Sequence, residues 1–309
     1  MNNYVIFVVG PTAIGKTSLA IELANYFKTS ILSCDSRQFF KEMKIGTAVP
    51  SDDELAAAKH YFIQNKSILE PYSVGDLERE ALATLDELFT QNNIQIVVGG
   101  SGLYVNAITS GFDEFPEIKT GIREAISQKF DTEGLEYLES ELQKLDPTFY
   151  NHIKNTNPQT LLNPQRMKRF VEVCISSGKP YSSFLNSETK KRNFSPILIG
   201  LEAERETLYN RINLRVDNMV KEGLIEEVEQ LIEYKNLNAL QTVGYRELFD
   251  YFENKITKEE AIEEIKKNTR RFAKRQMTWF KRNEAIKWFD FSTNVSNIKN
   301  YIQSEIKEA

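Results

Sequence analysis

The 309-residue sequence has only two cysteines, Cys34 and Cys174, which are too few for a disulfide framework and show no metal-ligand spacing. No apolar run approaches the ~20 residues that cross a bilayer, so the sequence predicts no membrane association. It also lacks internal repeats, low-complexity segments and the basic and apolar regions of a signal peptide. These absences argue against a disulfide-stapled secreted protein and a membrane protein, and we expect a cytoplasmic location.

One short segment carries the strongest signal: residues 10–17 read GPTAIGKT and match the phosphate-binding loop pattern G-x-x-x-x-G-K-[ST]. The apolar run at 5–9 before it predicts a buried parallel strand, and residues 18–24 after it favour a helix. Such a loop surrounds an anion with backbone N–H groups and a helix N-terminus. We therefore predict a site that binds a diphosphate or a nucleotide such as ATP. We also predict that the Thr17 hydroxyl binds Mg²⁺. The residues of the predicted site are Gly10, Pro11, Thr12, Ala13, Ile14, Gly15, Lys16 and Thr17.

Apolar, β-prone segments alternate with helical patterns through the first 110 residues, and a further strand is expected at 196–201. Such alternation predicts an α/β fold of the P-loop nucleoside-triphosphate-hydrolase type, a parallel sheet flanked by helices, with an inserted helical module. From about Arg205 onward the pattern is mostly helical. The predicted domains are 1–114, the first part of the core, 115–190, the inserted helical module, and 191–309, the rest of the core with a C-terminal helical region.

Two further segments follow predicted strands and should meet the phosphate loop, because ligands of open α/β sheets bind at the carboxyl ends of strands. Asp35 follows the strand at 31–34, where its carboxylate could bind Mg²⁺, act as a general base or cap the next segment. Residues 99–102, GGSG, follow the strand at 94–98. They predict either a close backbone approach to a ligand or a tight turn.

Basic charge is concentrated near the end of the chain, although the net charge is −5. Residues 266–282 contain eight lysines and arginines, no acidic residue and interleaved aromatic rings. This combination suits phosphate contacts and base stacking. The alternative is a solvated amphipathic helix with Phe272, Gln276, Trp279 and Phe280 facing the core. A smaller basic cluster lies at 166–169.

Together these segments resemble the tRNA dimethylallyltransferase family across nearly the whole chain. The matching segments are GPTAIGKTSLA at 10–20, DSRQ at 35–38, KIGTAVP at 44–50, YSVGDL at 72–77, GGSGLY at 99–104, NPQRMKRFVEV at 163–173, RINLRV at 211–216, TVGYRE at 242–247 and AKRQMTWFKR at 273–282. The chain departs from the family pattern at Lys59-His60, where a His pair is common, and at Ser101, where Thr is usual.

The resemblance implies transfer of the dimethylallyl group from dimethylallyl diphosphate to N6 of the adenosine on the 3′ side of the tRNA anticodon. Three catalytic residues are carried over: Asp35 as the acceptor of the N6 proton, Thr17 at the Mg²⁺ and Arg215 at the diphosphate. The target adenine must leave its stack to be reached. We expect Mg²⁺ as cofactor, the tRNA anticodon stem-loop as partner and a monomeric enzyme.

The resemblance also implies that the inserted helical module at 115–190 and the C-terminal helical region of 191–309 bind tRNA, and it implies a set of tRNA-binding residues. They are Asp35, Ser36, Arg37, Gln38, Ser101, Arg123, Gln165, Arg166, Met167, Lys168, Arg169, Gln241, Thr242, Val243, Gly244, Tyr245, Arg246, Lys274, Arg275 and Gln276.

Three other functions share part of this pattern. An adenylate isopentenyltransferase would use a free nucleotide as acceptor and would not need the basic segments. A small-molecule P-loop kinase would use ATP. A nucleotide-gated RNA-binding switch would have no proton for Asp35 to accept.

Overall fold

A computed structural model of the chain describes residues 2–113, 115–185 and 190–308. The chain divides into two compact units: Met1–Gly111 together with Lys191–Ala309, and Phe112–Lys190. We call them the sheet unit and the helical unit. Among the described residues, no helix is both long enough and apolar enough to cross a membrane.

The sheet unit contains six parallel strands in the spatial order β3-β2-β4-β1-β5-β6. The strands are β1 (Tyr4–Val9), β2 (Ile31–Ser33), β3 (His60–Tyr61), β4 (Ile94–Gly99), β5 (Ser195–Glu202) and β6 (Lys287–Asp290). Every residue of β1 is buried, which explains its unbroken apolar sequence.

Helices cover both faces of this sheet. The helices of the described residues, in chain order, are α1 (Lys16–Phe27), α2 (Asp52–Ala57), α3 (Val74–Phe89), α4 (Gly102–Ser110), α5 (Ile122–Leu145), α6 (Pro147–Thr156), α7 (Pro164–Ser177), α8 (Arg205–Lys221), α9 (Leu224–Glu229), α10 (Tyr245–Phe252), α11 (Lys258–Phe280) and α12 (Val295–Glu308). On one face α1, α8 and α12 pack against Ile6 and Val8 of β1. On the other face, α3 and α4 pack against Val5 and Phe7. Successive side chains of β1 therefore point alternately into two different cores. The predicted parallel sheet between two helical layers is confirmed.

A third core lies beside the sheet and supports the loop that follows β2. Phe39, Phe40 and Met43 of that loop are buried against residues of α8 to α11, including Leu224 and Leu248. The loop is therefore held by an apolar cluster of its own.

The helical unit has a separate core, built by α5, α6 and α7 around Leu138, Leu142 and Val171. Gly134 breaks α5 with a φ of 70°, a left-handed value that favours glycine. Both α5 and α7 lie in the part of the chain that the sequence predicted to be a helical module.

Two edge strands, β3 and β6, were not predicted. They are only two and four residues long, and both are only partly buried, so neither has an apolar run. The alternative in which four side chains of α11 face the core holds for only two of them. Gln276 and Phe280 are buried, but Phe272 and Trp279 are each 37% exposed.

Candidate active site

The carboxyl ends of β2, β4 and β1 border one cleft of about 750 Å³. The three strands are neighbours in the sheet, so the loops that follow them meet at the same edge. The lining includes three groups that the sequence predicted to meet: the phosphate loop from Thr12 to Thr17, Asp35, and the glycines at 99 and 100.

Two glycines give the phosphate loop its path. Gly10 has a φ of 143°, and a Cβ there would lie 2.6 Å from the Leu201 carbonyl oxygen of β5. Gly15 has a φ of 105° and is the N-cap of α1. The loop thus turns directly into the helix, whose N-terminal N–H groups and dipole favour an anion in the cleft.

Lys16 lies in the cleft wall, and its Nζ donates a hydrogen bond to the Pro11 carbonyl oxygen at 2.7 Å. The pKa of Lys16 is lowered to about 8, mainly by burial and also by the nearby Arg215 charge, while the Asp35 carboxylate opposes this shift. An arriving diphosphate would favour the charged ammonium.

Two arginines extend from α8 towards the phosphate loop. Arg215 Nη1 donates to the Thr12 hydroxyl at 3.3 Å, and Arg211 Nε donates to the Ala13 carbonyl oxygen at 2.8 Å. Burial lowers the pKa of Arg215, but a guanidinium stays charged in proteins. Both arginines line the cleft. Sequence reasoning missed Arg211, although its four-residue spacing from Arg215 places the two on one helix face.

The two carboxylate oxygens of Asp35 have different surroundings. Its Oδ1 accepts hydrogen bonds from the backbone N–H groups of Arg37, at 2.9 Å, and Gln38, at 3.4 Å, which shape the turn after β2. Within the described chain, Oδ2 receives no hydrogen bond and the carboxylate lines the cleft. One oxygen thus fixes the backbone and the other is available to a substrate.

The turn after β2 is fixed to its neighbours. The Ser36 N–H donates to the Ser101 hydroxyl at 3.2 Å. The serine in place of the usual threonine thus keeps the hydroxyl oxygen that accepts this hydrogen bond. Arg37 Nη2 donates to the Asn238 carbonyl oxygen at 3.1 Å, and Gln38 Nε2 donates to the Ala48 carbonyl oxygen at 2.8 Å.

A smaller pocket of about 120 Å³ adjoins the cleft and shares part of its wall. The shared residues are Thr12, Asp35, Thr47, Arg215, Met219 and Phe272. The buried side chains of Val216, Leu224 and Ile265 line the small pocket. A charged, polar cleft thus joins an apolar pocket at Asp35 and Arg215.

Predicted tRNA-binding residues after α9 divide into pocket residues and surface residues. Thr242, Val243 and Gly244 line the small pocket. Gln241 and Arg246 are exposed. Tyr245 is fully buried, and its hydroxyl donates to Glu227 at 2.7 Å, so its side chain supports the pocket from behind.

The basic segment of α11 presents charge to solvent. Lys274 and Arg275 are exposed, whereas Gln276 is 6% exposed and hydrogen-bonded inside the sheet unit. Phe272 borders both cavities. The ring of Trp279 lies so close to Gly102 that a Cβ there would be 2.1 Å from it.

In the helical unit, the predicted tRNA-binding side chains mostly lie on α7. Gln165 and Arg166 are exposed, while Met167 is buried in the core of the unit. Lys168 Nζ donates to the Ser127 hydroxyl and lies 4.2 Å from the Phe130 ring centroid. The remaining two are Arg169, whose guanidinium lies 5.5 Å from the Phe115 ring centroid, and Arg123, which pairs with Glu172 at 3.5 Å.

The cleft offers oxygen ligands that suit Mg²⁺. The described residues contain no cluster of three or more His, Cys, Asp or Glu side chains that could enclose a metal ion. Mg²⁺ commonly needs only one or two protein oxygens besides water and phosphate. The Thr17 hydroxyl lines the same cleft as the phosphate loop, so the residues present fit an ion carried with a diphosphate.

The Lys59-His60 departure lies away from the cleft. His60 belongs to the edge strand β3, and its Nδ1 lies 2.8 Å from the Ala58 carbonyl oxygen. Burial lowers the pKa of His60, which favours the neutral ring. In this chain His60 is therefore part of the edge strand of the sheet and does not line the cleft.

Comparison with known proteins agrees with this geometry. The family model described as IPP transferase matches residues 38–283. The tRNA dimethylallyltransferases of Flavobacterium johnsoniae and Flavobacterium psychrophilum are 63% and 62% identical, each over 99% of both chains.

Solved structures give the same assignment. The full-length tRNA isopentenylpyrophosphate transferase of Bacillus halodurans is 33% identical with a TM-score of 0.72, over 99% of this chain and 97% of that one. A eukaryotic dimethylallyltransferase described as acting on tRNA is 25% identical with a TM-score of 0.81, over 99% and 80%. The full-length identity and the matching fold confirm the resemblance seen in the sequence: the chain belongs to the tRNA dimethylallyltransferase family.

Proposed function

We propose that this protein transfers the dimethylallyl group of dimethylallyl diphosphate to N6 of the adenosine on the 3′ side of the tRNA anticodon. The observation that carries the proposal is the joined pair of cavities. The basic side chains beside the phosphate loop suit the diphosphate, the apolar part of the small pocket suits a branched five-carbon chain, and Asp35 lines both cavities. A free-nucleotide acceptor, a kinase and a nucleotide-gated switch receive no support from the relatives.

The cleft binds the leaving group. Lys16, Arg211 and Arg215 surround the N-terminus of α1, and their positive charge stabilises the negative charge that develops as the C–O bond breaks. These groups are fixed by hydrogen bonds to the phosphate loop and need little rearrangement during the reaction. Thr17 would hold Mg²⁺ against the diphosphate, where the ion adds charge neutralisation.

Asp35 acts as the base for the acceptor adenine. The N6 amine forms a bond to the allylic carbon, the carbon–oxygen bond to diphosphate breaks, and N6 must lose one proton. Oδ2 of Asp35 can accept that proton while Oδ1 keeps the turn in place. The products are dimethylallyl-adenosine in tRNA and diphosphate.

The acceptor adenine needs a surface that binds the surrounding RNA. Lys274 and Arg275 of α11 are exposed basic side chains in the sheet unit, and Arg166 of α7 is one in the helical unit. Each suits RNA binding, because phosphate contacts supply much of the affinity for nucleic acid. A monomeric state and a cytoplasmic location stay predictions.

A transfer assay tests the proposed function. The protein is incubated with dimethylallyl diphosphate labelled in the allyl group and either unmodified tRNA or AMP. Label is expected in tRNA, at one adenosine beside the anticodon. Label in AMP but not in tRNA would contradict the proposal, and so would phosphate transfer from ATP in place of allyl transfer.

Replacing Lys274 and Arg275 together with Gln is expected to weaken tRNA binding by removing phosphate contacts. The logarithm of affinity falls linearly with the logarithm of salt concentration, and each lost contact reduces the slope by about 0.7–0.9. Affinity is measured at several salt concentrations.

Lys258→Gln is the matched control, since it removes one exposed charge from the same helix outside the basic segment. It should leave the slope unchanged. An unchanged slope and affinity in the double variant would make 266–282 a solvated helix face without a role in RNA binding.

Donor affinity is expected to fall as the pH rises above about 8. The free Lys16 has a pKa of about 8 because burial and Arg215 disfavour its charge, and a bound diphosphate raises that pKa. Below pH 8 the lysine is protonated in both states, so it adds no pH dependence. Above pH 8 binding must take up a proton, and affinity declines by up to tenfold per unit.

The measurement is the Kd of dimethylallyl diphosphate from pH 7 to 9.5, with Lys16→Met as control for titration of the ligand itself. The difference between the two profiles should begin near pH 8. Parallel profiles would show that Lys16 does not titrate on binding.

A further inference from the structure

Gln276 is a buried polar side chain on the helix that carries the exposed basic residues, and both ends of its amide are hydrogen-bonded. Its Oε1 accepts the Thr12 backbone N–H at 2.9 Å. Its Nε2 donates to the Gly100 carbonyl oxygen at 2.9 Å. One side chain of α11 therefore joins the phosphate loop to the segment after β4.

Gly100 lies against the Gln276 amide and leaves room for it because it has no side chain. A Cβ on residue 100 would lie 2.3 Å from Gln276 Nε2, so the approach requires glycine at that position. Gly100 is the second glycine of the GGSG segment, and its close contact with the Gln276 side chain accounts for the glycine there without a ligand. It also leaves Gln276 little surface to offer to RNA.

Thr12 links this contact to both substrate cavities. Its hydroxyl accepts a hydrogen bond from Arg215, and the residue lines the cleft and the apolar pocket. Holding its backbone N–H from outside fixes the first turn of the phosphate loop. A shift of α11 would therefore move the loop and the arginine that contacts it.

The neighbours of Gln276 on the same helix face solvent. Lys274 and Arg275, which precede it directly, are exposed and form the surface we assign to RNA. RNA that binds these residues would restrain the turn of α11 from which Gln276 reaches the phosphate loop.

We propose that Gln276 is a positioning residue that couples the two substrates: it fixes the phosphate loop, so that tRNA bound on α11 and diphosphate bound in the cleft favour each other. The inference rests on the proposed function for the identity of the substrates. Coupling of binding free energies is reciprocal, so each substrate must tighten the other by the same factor.

The amide group is required because the two partners have opposite needs. The Thr12 N–H needs an acceptor and the Gly100 carbonyl needs a donor. Leucine supplies neither, while Gln276→Glu keeps the acceptor and places a carboxylate oxygen against the carbonyl oxygen. Both substitutions should release the loop, and burial of an unpaired polar group makes the loss larger.

The experiment measures the Kd of an unreactive thiolo analogue of dimethylallyl diphosphate with and without saturating tRNA. In the unaltered protein, tRNA should lower this Kd by about 5–150-fold, the usual range of coupling between sites. In Gln276→Leu and Gln276→Glu the ratio should fall to within about twofold of one, while the Kd of tRNA alone changes less than about threefold, since exposed charge supplies RNA affinity.

Gly100→Ala is the matched variant, because its added methyl group displaces the amide and leaves Gln276 in place. It should lower the ratio in the same way and covers the case in which the Gln276 variants fail to fold. The Lys274→Gln/Arg275→Gln protein gives the opposite result: weaker tRNA binding, with donor affinity in the absence of tRNA unchanged.

Two results would overturn the inference. A ratio in Gln276→Leu and Gly100→Ala equal to that of the unaltered protein would leave Gln276 a packing residue only. A ratio of one in the unaltered protein would show that no coupling exists. Failure of the proposed function is seen separately, as absence of label transfer to tRNA.

Discussion

Asp35→Asn is expected to lower turnover by about 10²–10⁴-fold, the usual contribution of a general base, with tRNA affinity largely kept. Asparagine has nearly the same shape, and its side-chain oxygen can still accept the backbone N–H groups of Arg37 and Gln38. The turn after β2 therefore survives, but no carboxylate remains to take the N6 proton. Single-turnover transfer of labelled allyl group to tRNA measures the change.

Asp53→Asn serves as the control for this experiment. Asp53 is an exposed carboxylate on α2 and does not line the cleft, so the same chemical change should leave turnover within about threefold of the starting protein, as expected for a surface site. Turnover of Asp35→Asn within the same range would remove Asp35 from the mechanism as the base.

Arg192→Ala is expected to destabilise the sheet unit by about 3–5 kcal/mol, the usual cost of removing one partner of a buried ion pair. Arg192 Nη2 lies 2.7 Å from Glu78 Oε1, and the two side chains are only 10% and 11% exposed. The guanidinium also donates to the carbonyl oxygens of Ile108 and Ala107 at the end of α4. Its removal leaves the Glu78 carboxylate without its ion pair and takes one donor from each of the two carbonyl oxygens, of which that of Ala107 still accepts the Gly111 N–H.

Urea unfolding followed by tryptophan fluorescence measures this loss, because Trp279 and Trp288 both belong to the sheet unit. Arg79→Ala is the control on the same helix as Glu78. Arg79 pairs with Asp76 but its side chain is 75% exposed, so the midpoint should change little. Equal midpoint shifts in the two variants would show that the buried Arg192–Glu78 ion pair stabilises the fold no more than the exposed Arg79–Asp76 pair.

Local chemistry makes several features of this protein readable from sequence. The phosphate loop requires glycine at fixed positions and an apolar strand before it, and both requirements fall within residues 5–17. The buried strands β1, β4 and β5 are long enough to form apolar runs. The short, partly buried strands β3 and β6 leave no such run, and their pairing depends on the rest of the sheet.

The candidate site was predictable only where a strand end determined the position of a residue. Asp35 was assigned to the cleft because it follows a strand whose carboxyl end lies at the same edge of the sheet as the phosphate loop. Arg211 was missed because its role depends on how α8 packs, although it lies one turn from Arg215. The sequence also left open whether Phe272 and Trp279 are exposed or face the core, since helical spacing shows which residues share a face but not what covers it.

The sequence by itself therefore determined the phosphate loop, the parallel sheet, the cleft edge with Asp35 and membership of the family, because each depends on residues close together in the chain or on motifs in a fixed order. The hydrogen bonds of Gln276 and the Arg192–Glu78 pair became visible only in the folded structure. Gln276 bonds to Thr12 across 264 positions, and Arg192 reaches Glu78 across 114. A buried hydrogen bond depends on the positions of both partners after the chain has folded, and no local pattern specifies that distance.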